Sequence, residues 1–367
     1  MKVNEVQGSN RPRILFVLKN RDNPYSCDPT NYTGHLSSGL FNSARFVVEM
    51  LAANGYEVKL VHCIDNNYIH REIVAFKADV VVIEAYWVVP EKFAELYRVC
   101  PNVKFIIRNH SDVPFVANEG IAMDWTLKYV KHNNVFMSCN SKDTTEEFRF
   151  LVSEENPSWL REVVNFKVPY LPNYYPTVGA ERPKKYEPSS VLNVGCFGAI
   201  RPLKNQLEQA VAAMKYASDN GQKLRFHING TRIEMNGSAA LKNIIQLFEH
   251  FPHYDLVLHP WMKHDKFVEL IRSMDILLQV SFSETFNIVA ADAVVVGVPV
   301  VGSPEIPWIA NQYKANPNDW DDIVSKMGWA LKFPARLPWL NKNLIGLEKY
   351  NRESVKAWLN YLSYFTV

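Results

Sequence analysis

The sequence predicts an α/β protein of two Rossmann-like, doubly wound domains facing a cleft. Three observations carry this. Short apolar runs with strand character alternate with amphipathic stretches of helical period, which implies parallel sheets covered on both faces. The alternation stops in a proline-bearing segment and then restarts. The chain has 367 residues, too many for one ordinary core.

In the first half, strands are expected at 13–18 (RILFVL), 57–64 (EVKLVHCI), 78–85 (ADVVVIEA), 103–109 (VKFIIRN) and 134–140 (NVFMSCN). Between the first two, Leu40, Ala44, Val47, Val48 and Leu51 follow helical spacing, and Gly55 is a stop signal. Residues 168–190 carry many prolines and few periodic apolar positions, which reads as a linker. Five further strands are expected at 190–198 (SVLNVGCFG), 223–230 (KLRFHING), 254–260 (YDLVLHP), 274–281 (MDILLQVS) and 298–303 (VPVVGS). The expected division is a first domain over 1–172, a linker over 173–189, a second domain over 190–347 and a last helical segment over 348–367 that packs back on the first domain. Ligands of such folds bind beyond the carboxyl ends of strands, here in the cleft between the halves.

Composition narrows the function. Hydrophobic residues make up 47% and charged residues 21%, as in a soluble globular protein, and the net charge is +2. No global field draws the chain to nucleic acid or to an acidic membrane. The longest apolar run, Ile288 to Gly302, is broken by Asp292 and is too short to span a bilayer. The N-terminus has no apolar core of a secretory signal. Five scattered cysteines without a C-x-x-C suit free thiols in a reducing, cytoplasmic setting. The sequons at Asn31, Asn229 and Asn236 are then expected to be unused.

Candidate chemistry gathers at the strand ends of the second domain. In 283–301 (SETFNIVAADAVVVGVPVV), Glu284 and Asp292 bracket seven mostly apolar residues. A helix starting near Thr285 or Phe286 would aim the amides of Thr285, Phe286 and Asn287 at an anion such as a phosphate. It would also place Asp292 on roughly the side of Glu284. A carboxylate on an apolar helix needs a partner, and sugar diols provide one. The alternative is a helix-capping Glu284 and a solvated Asp292. In 195–206 (GCFGAIRPLKNQ), Gly195 and Gly198 permit close backbone approach, and Arg201 and Lys204 supply fixed cations for a leaving diphosphate. The alternative there is a solvated basic turn.

The stretch SETFNIVAADAVVVGVPVVGS resembles the signature of retaining GT-B glycosyltransferases: a Glu, seven residues, a second acid, then a G-x-P-V-V strand. The resemblance implies a metal-independent enzyme that moves a sugar from a nucleotide-diphosphate donor to an acceptor hydroxyl with retention. It implies that Glu284 contacts sugar hydroxyls, that Thr285, Phe286, Asn287 and Ile288 face the diphosphate and sugar, and that Asp292 holds the ribose. Asp292 replaces the usual Glu, and Asn287 replaces a common Gly. GCFGAIRPLKNQ is similar to the Arg…Lys phosphate segment of these enzymes. The turn Pro260–Met262 corresponds to one that faces the nucleobase, where Trp261 either stacks on a base or packs in the core, with Met262 beside it. Residues 302–308 (GSPEIPW) match a loop topping the cleft. In the first domain, His110 follows a strand where the family carries a His near the transferred sugar; a capping or packed His is the alternative. Gly39, in GHLSSGL before the first helix, corresponds to a glycine-rich loop near the phosphates. The long polar loop Asn20 to Thr33 is expected on the acceptor side. The two domains are expected to close on the donor.

No cofactor beyond the donor is implied, and no metal. The acid pair in DWD (319–321) reads as a helix start, and His250, His253, His259 and His264 lack zinc-like ligand spacing. There is no phosphate-binding G-x-x-x-x-G-K-[ST] and no G-x-G-x-x-G. The acceptor is open: a glycan, a lipid-linked glycan, a small molecule, a protein or a hydroxylated base in DNA. A nucleotide-sugar epimerase and a non-catalytic nucleotide-sugar-binding protein are the rival readings.

Overall fold

A computed structural model describes residues 11–20, 38–182, 189–332 and 341–365. The chain divides into two compact units, one of Met1–Tyr174 with Arg352–Val367 and one of Tyr175–Asn351.

The first unit is built on five parallel strands: β1 (Ile14–Lys19), β2 (Val58–Cys63), β3 (Val80–Glu84), β4 (Lys104–Asn109) and β5 (Val135–Cys139), in the order β2-β1-β3-β4-β5. Both faces are covered, and the period-two alternation of each strand divides its side chains between two cores. Leu15, Val17, Val81 and Ile83 enter one core with Phe93, Tyr129 and Phe148. Ile14, Phe16, Val80 and Val82 enter the other, where they meet Ala44, Val47 and Leu51 of the helix Ser38–Ala53. Trp358 lies in that second core, fully buried, with its ring 5.8 Å from that of Phe16 and its indole N–H donating to the Pro172 carbonyl at 2.8 Å. The proline-bearing segment expected as a linker is therefore packed in part. Leu171 and Asn173 are buried in this unit, and Tyr175 is buried at the start of the next.

The second unit repeats the plan with β6 (Val191–Gly195), β7 (Lys223–Asn229), β8 (Asp255–His259), β9 (Ile276–Gln279) and β10 (Val300–Gly302), all parallel, in the order β10-β9-β6-β7-β8. Every strand expected from the sequence is present, and the largest trimming is at β6 and β9. β6 ends at Gly195 rather than running to Gly198, where a φ of +124° turns the chain. The strand order reverses between β6 and β9. The loops leaving their carboxyl ends diverge there and leave a crevice, the place where open α/β sheets bind ligands.

Two expectations about elements change, and a third lies beyond the described residues. The helix after β9 starts at Ile288, not at Thr285 or Phe286, so the amides of 285–287 belong to the approach loop. Gly39 lies in the first turn of the helix Ser38–Ala53 rather than in a loop before it. The polar loop expected over 20–33 lies almost wholly outside the described residues, as do 34–37. The DWD acids do start a helix: Asp319 accepts the Asp322 amide at 3.0 Å ahead of Trp320–Lys332. Among the described residues, no helix is long and apolar enough to cross a membrane.

Candidate functional site

At the strand reversal of the second unit, three side chains knit the ends of β6 and β9. Gln279, the last residue of β9, donates to the Phe197 carbonyl at 3.1 Å. Gln209 accepts the Val280 amide at 2.8 Å and donates to the Lys204 carbonyl at 2.8 Å. Asn205 adopts a left-handed φ of +55° and donates to the Val280 and Pro317 carbonyls. Gly198 is fixed from the other side, its amide donating to the Asn229 side chain at 2.9 Å. Asn229 is buried in that contact, so its sequon is occupied structurally.

This framework brings Lys204 to Glu284. They form a direct ion pair between side chains only 13% and 7% exposed. Asn287 completes the group. Its Nδ2 donates to Glu284 at 3.0 Å and to Gln279 at 2.9 Å, while its Oδ1 caps the helix by accepting the Ala290 amide at 2.9 Å. A backbone φ of +60° lets one side chain reach both ways, and Asn tolerates that conformation better than most residues. Neither the capping-only reading of Glu284 nor the solvated reading of Lys204 survives this arrangement.

The other residues expected at the site fall into separate contacts. Arg201 pairs with Glu234 at 3.3 Å, and Glu234 also holds Arg232 at 2.6 Å. The Arg232 guanidinium lies 4.4 Å from the Trp261 ring, and the Trp261 amide donates to Thr231 at 2.9 Å. Trp261 and Met262 are half-buried, so Trp261 is not a core residue. Phe286 is one: its ring packs against Trp308 and Tyr350, and its carbonyl accepts the Trp308 indole N–H at 2.8 Å. Asp292 is buried rather than solvated. It accepts hydrogen bonds from the Tyr175 hydroxyl and from His264 Nε2, the latter at 2.7 Å. Because the helix begins only at Ile288, helical spacing does not govern the Glu284–Asp292 relationship, and the two acids sit in different hydrogen-bond groups.

In the first unit, His110 is neither a simple cap nor an isolated group. Its Nε2 meets the carboxylate of Glu84, the last residue of β3. Glu84 is fully buried and is also paired with the fully buried Arg108 of β4 at 3.1 Å. Arg108 donates further to Asn173, and its guanidinium lies 5.4 Å from the Trp358 ring. Burial pushes the Glu84 carboxyl up, but the charges of Arg108 and His110 and their hydrogen bonds together bring it below the usual carboxylate range. Burial pulls the His110 imidazole below its ordinary value, with Glu84 opposing and Arg108 assisting. Among the described residues, no three His, Cys, Asp or Glu side chains are grouped to hold a metal ion.

Residues 192–332 match the family described as Glycosyl transferases group 1, a span that includes Gly198, Arg201, Lys204, Glu284, Asn287 and Asp292. Solved structures agree over nearly the whole length. A UDP-forming α,α-trehalose-phosphate synthase from Burkholderia xenovorans has a TM-score of 0.64 at 12% identity, covering 97% of this chain and 100% of that one. A sucrose-phosphate synthase from Thermosynechococcus elongatus has a TM-score of 0.62 at 13% identity, covering 96% and 98%. A trehalose-6-phosphate protein from E. coli bound with UDP-2-fluoro glucose has a TM-score of 0.64 at 11% identity, covering 95% and 98%. At such identity these likenesses show the fold, which is GT-B. No curated protein matches the chain.

In the second unit, sequence reasoning gave no site role to Gln279, Gln209, Asn229, Tyr175 or His264. Gln279 carried a signal, a lone amide ending the apolar run ILLQ. Tyr175 carried none, because its partner Asp292 is 117 positions away. In the first unit, Glu84 and Arg108 were detectable as charges inside the runs VVVIE and KFIIRN.

Proposed function

We propose that the protein is a retaining, metal-independent glycosyltransferase that moves a sugar from a nucleotide-diphosphate sugar to an acceptor hydroxyl. The observation that carries this reading is the Lys204–Glu284 pair at the strand reversal, inside the span that matches the group 1 family. A shielded ammonium beside a shielded carboxylate suits a ligand that brings an anion and a polyol together. Lys204 would stabilise the diphosphate as its bond to the anomeric carbon breaks, with Arg201 as a second cation. Glu284, steadied by Asn287, would accept hydrogen bonds from sugar hydroxyls. Gly198 would let the backbone approach the phosphates, and the approach loop 285–287 with Ile288 would line the diphosphate and sugar.

The turn bearing Trp261 and Met262 and the buried Asp292 mark the nucleoside end in this reading. His110 would hydrogen-bond the transferred sugar, and Gly39 would lie toward the phosphates. The acceptor hydroxyl would attack the face the diphosphate leaves. Its oxygen bonds to the anomeric carbon as the carbon–phosphate oxygen bond breaks, and its proton passes to the departing phosphate. No cofactor is needed beyond the donor. A reducing compartment such as the cytoplasm suits the four buried free thiols Cys63, Cys100, Cys139 and Cys196. The UDP formed or bound by two of the structural neighbours makes UDP-sugars the first donors to test.

The test is incubation with UDP-, GDP- and ADP-sugars and a panel of hydroxyl acceptors that includes sugar phosphates. It reads release of the nucleoside diphosphate and the anomeric configuration of the product by NMR. Product with the donor's configuration, formed in chelator, is expected; an inverted product or a metal requirement contradicts the proposal. Donor turnover without any acceptor would indicate an epimerase. A binding protein without transfer is the second reading, favoured by the engagement of Asp292 with Tyr175 and His264. Donor binding without transfer across the panel would select it.

A further inference from the structure

The two edges of the second sheet differ. At one, β10 is buried along its length. At the other, β8 is open: Leu258 is 47% exposed, and among the described residues no strand pairs with its outer side. Edge strands are commonly blunted by a charge in their midst. β2, an edge of the first sheet, carries the exposed Lys59. The middle of β8 is instead Leu256, Val257 and Leu258, and charge-bearing types stand only at its ends, Asp255 and His259.

The register decides which backbone groups face outward. The His259 carbonyl accepts the Gly230 amide at 3.1 Å, so it points to β7. Alternation along the strand sends the groups of Val257 and Asp255 the same way and turns those of Leu256 and Leu258 to the open edge. The two leucine side chains lie on the sheet face that meets the helix Gly237–His250. Phe226, the register partner of Leu256, stacks on Phe248 of that helix with ring centroids 5.9 Å apart. Leu256 and Leu258, with Ile245 and Phe248, line a groove of about 550 Å³ there. Asp255 and His259 lie on the opposite face, where His259 meets the Phe197 ring.

The order DLVLH is complementary to itself when reversed. Laid antiparallel about Val257, Leu256 comes opposite the partner's Leu258, and Leu258 opposite the partner's Leu256. Both are pairs whose outward groups exchange backbone hydrogen bonds. On the other face Asp255 comes opposite the partner's His259, and His259 opposite the partner's Asp255, so that an acid meets an imidazole at each end. Val257 meets the partner's Val257 as the close, non-hydrogen-bonded pair. The same contact is made by both chains, so assembly closes at two copies.

We infer that β8 is the docking edge for a second copy of this chain, joined antiparallel about Val257 so that the two five-stranded sheets continue as one. This contact stands apart from the nucleotide-sugar reading.

The test uses the full-length protein. In sedimentation velocity from about 1 to 100 µM, a range that brackets micromolar association, the unaltered chain should pass from one-chain to two-chain mass. Leu258→Lys places a charge at a half-exposed position. It should keep its melting temperature and weaken the dimer by about 10-fold or more. Cysteines read the register. The Cα atoms of a non-hydrogen-bonded antiparallel pair are about 4.5 Å apart, within disulfide reach. Val257→Cys should form a linked dimer with oxidised glutathione, whereas Leu258→Cys, whose two copies sit diagonally, should link no more than the unaltered chain. Amide exchange at Leu256 and Leu258 needs no variant. It should slow as protein concentration rises, while exchange at Val58 and Leu60 on β2 should not. A single-chain mass at about 100 µM with exchange unchanged would overturn the inference. So would a dimer that Leu258→Lys leaves at full strength, or one in which Val257→Cys fails to link.

Discussion

Lys204 Nζ and Glu284 Oε1 meet as an ion pair although the residues are 80 positions apart. Each alone is an ordinary surface residue type; together, shielded from water, each neutralises the other. A side chain at either position cannot be changed without leaving a charge behind.

Glu284→Gln leaves Lys204 charged, as Glu284→Ala does, but it is the closer probe. The amide keeps the shape and the contact to Asn287 while removing the charge that Lys204 and the sugar hydroxyls share. Folding should be retained, and transfer should fall by about 100-fold or more, the scale of losing one aimed polar group at a reacting centre. Transfer rates beside a far-ultraviolet melt check it; full activity in the folded variant would remove Glu284 from the chemistry.

Lys204→Met leaves Glu284 charged in a poor solvent. The expected cost is about 1–3 kcal/mol, because removing one partner of this part-buried pair leaves the other without its hydrogen bond. Lys204→Met with Glu284→Gln should recover most of that stability, since no charge is left unpaired. Urea midpoints of the two single variants and the double variant decide it: additive losses would mean that the pair is not coupled.

Two glycines beside the turn 200–204 separate strain from crowding. A Cβ at Gly237 would lie 2.0 Å from the Ile200 carbonyl oxygen, and that backbone leads into Arg201. Gly237→Ala should displace the Arg201 turn and destabilise the protein markedly. At Gly198 a Cβ finds only Lys204 Cε at 3.8 Å, but φ is +124°. Gly198→Ala should then cost only the backbone term, about 1–3 kcal/mol. Thermal melting should rank Gly237→Ala well below Gly198→Ala.

The strands of both sheets were legible because ten apolar runs are bounded by turn residues, and burial on both faces makes such runs continuous. Lys204 and Glu284 were legible as candidates because each follows a strand end. What held them together was not. Gln279, Gln209 and Asn229 act through partners far along the chain; the lone amide ending ILLQ hints at Gln279, but nothing nearby names those partners. The helix start was misjudged for a local reason. Asn287, at φ +60°, interrupts the backbone three residues after Glu284, and a left-handed cap is not written in the hydrophobic pattern.

That cap gives a further expectation. Asn287→Ala removes the bond to the Ala290 amide, the contacts to Glu284 and Gln279, and the residue type suited to φ +60°. A loss of about 1–2 kcal/mol from the cap alone is expected. Asn287→Gly relieves the backbone but still frees Glu284. It should melt above Asn287→Ala while binding donor no better. Equal melting temperatures would show that the left-handed conformation carries no cost there.

Acid sensitivity should trace to buried histidines. His227 of β7 stacks on His259 of β8, with Nδ1 and Nε2 2.9 Å apart. Burial, then the neighbouring His259 and Arg225, pulls the His227 imidazole down to about 4. As pH falls through about 6.5, the unfolded chain takes up a proton at this position while the folded protein does not. Stability from His227 is thus fully present above about pH 6.5 and is lost progressively toward about 4, where the folded ring also protonates. His110, shifted in the same direction, adds to the loss in the first unit, and Glu84 extends it below the ordinary carboxylate range. His227→Phe preserves the ring stack and cannot take up the proton, so its urea midpoint should fall less steeply than that of the unaltered protein between pH 6.5 and 4. Parallel midpoint–pH curves for the two proteins would mean that His227 titrates alike in the folded and unfolded chains.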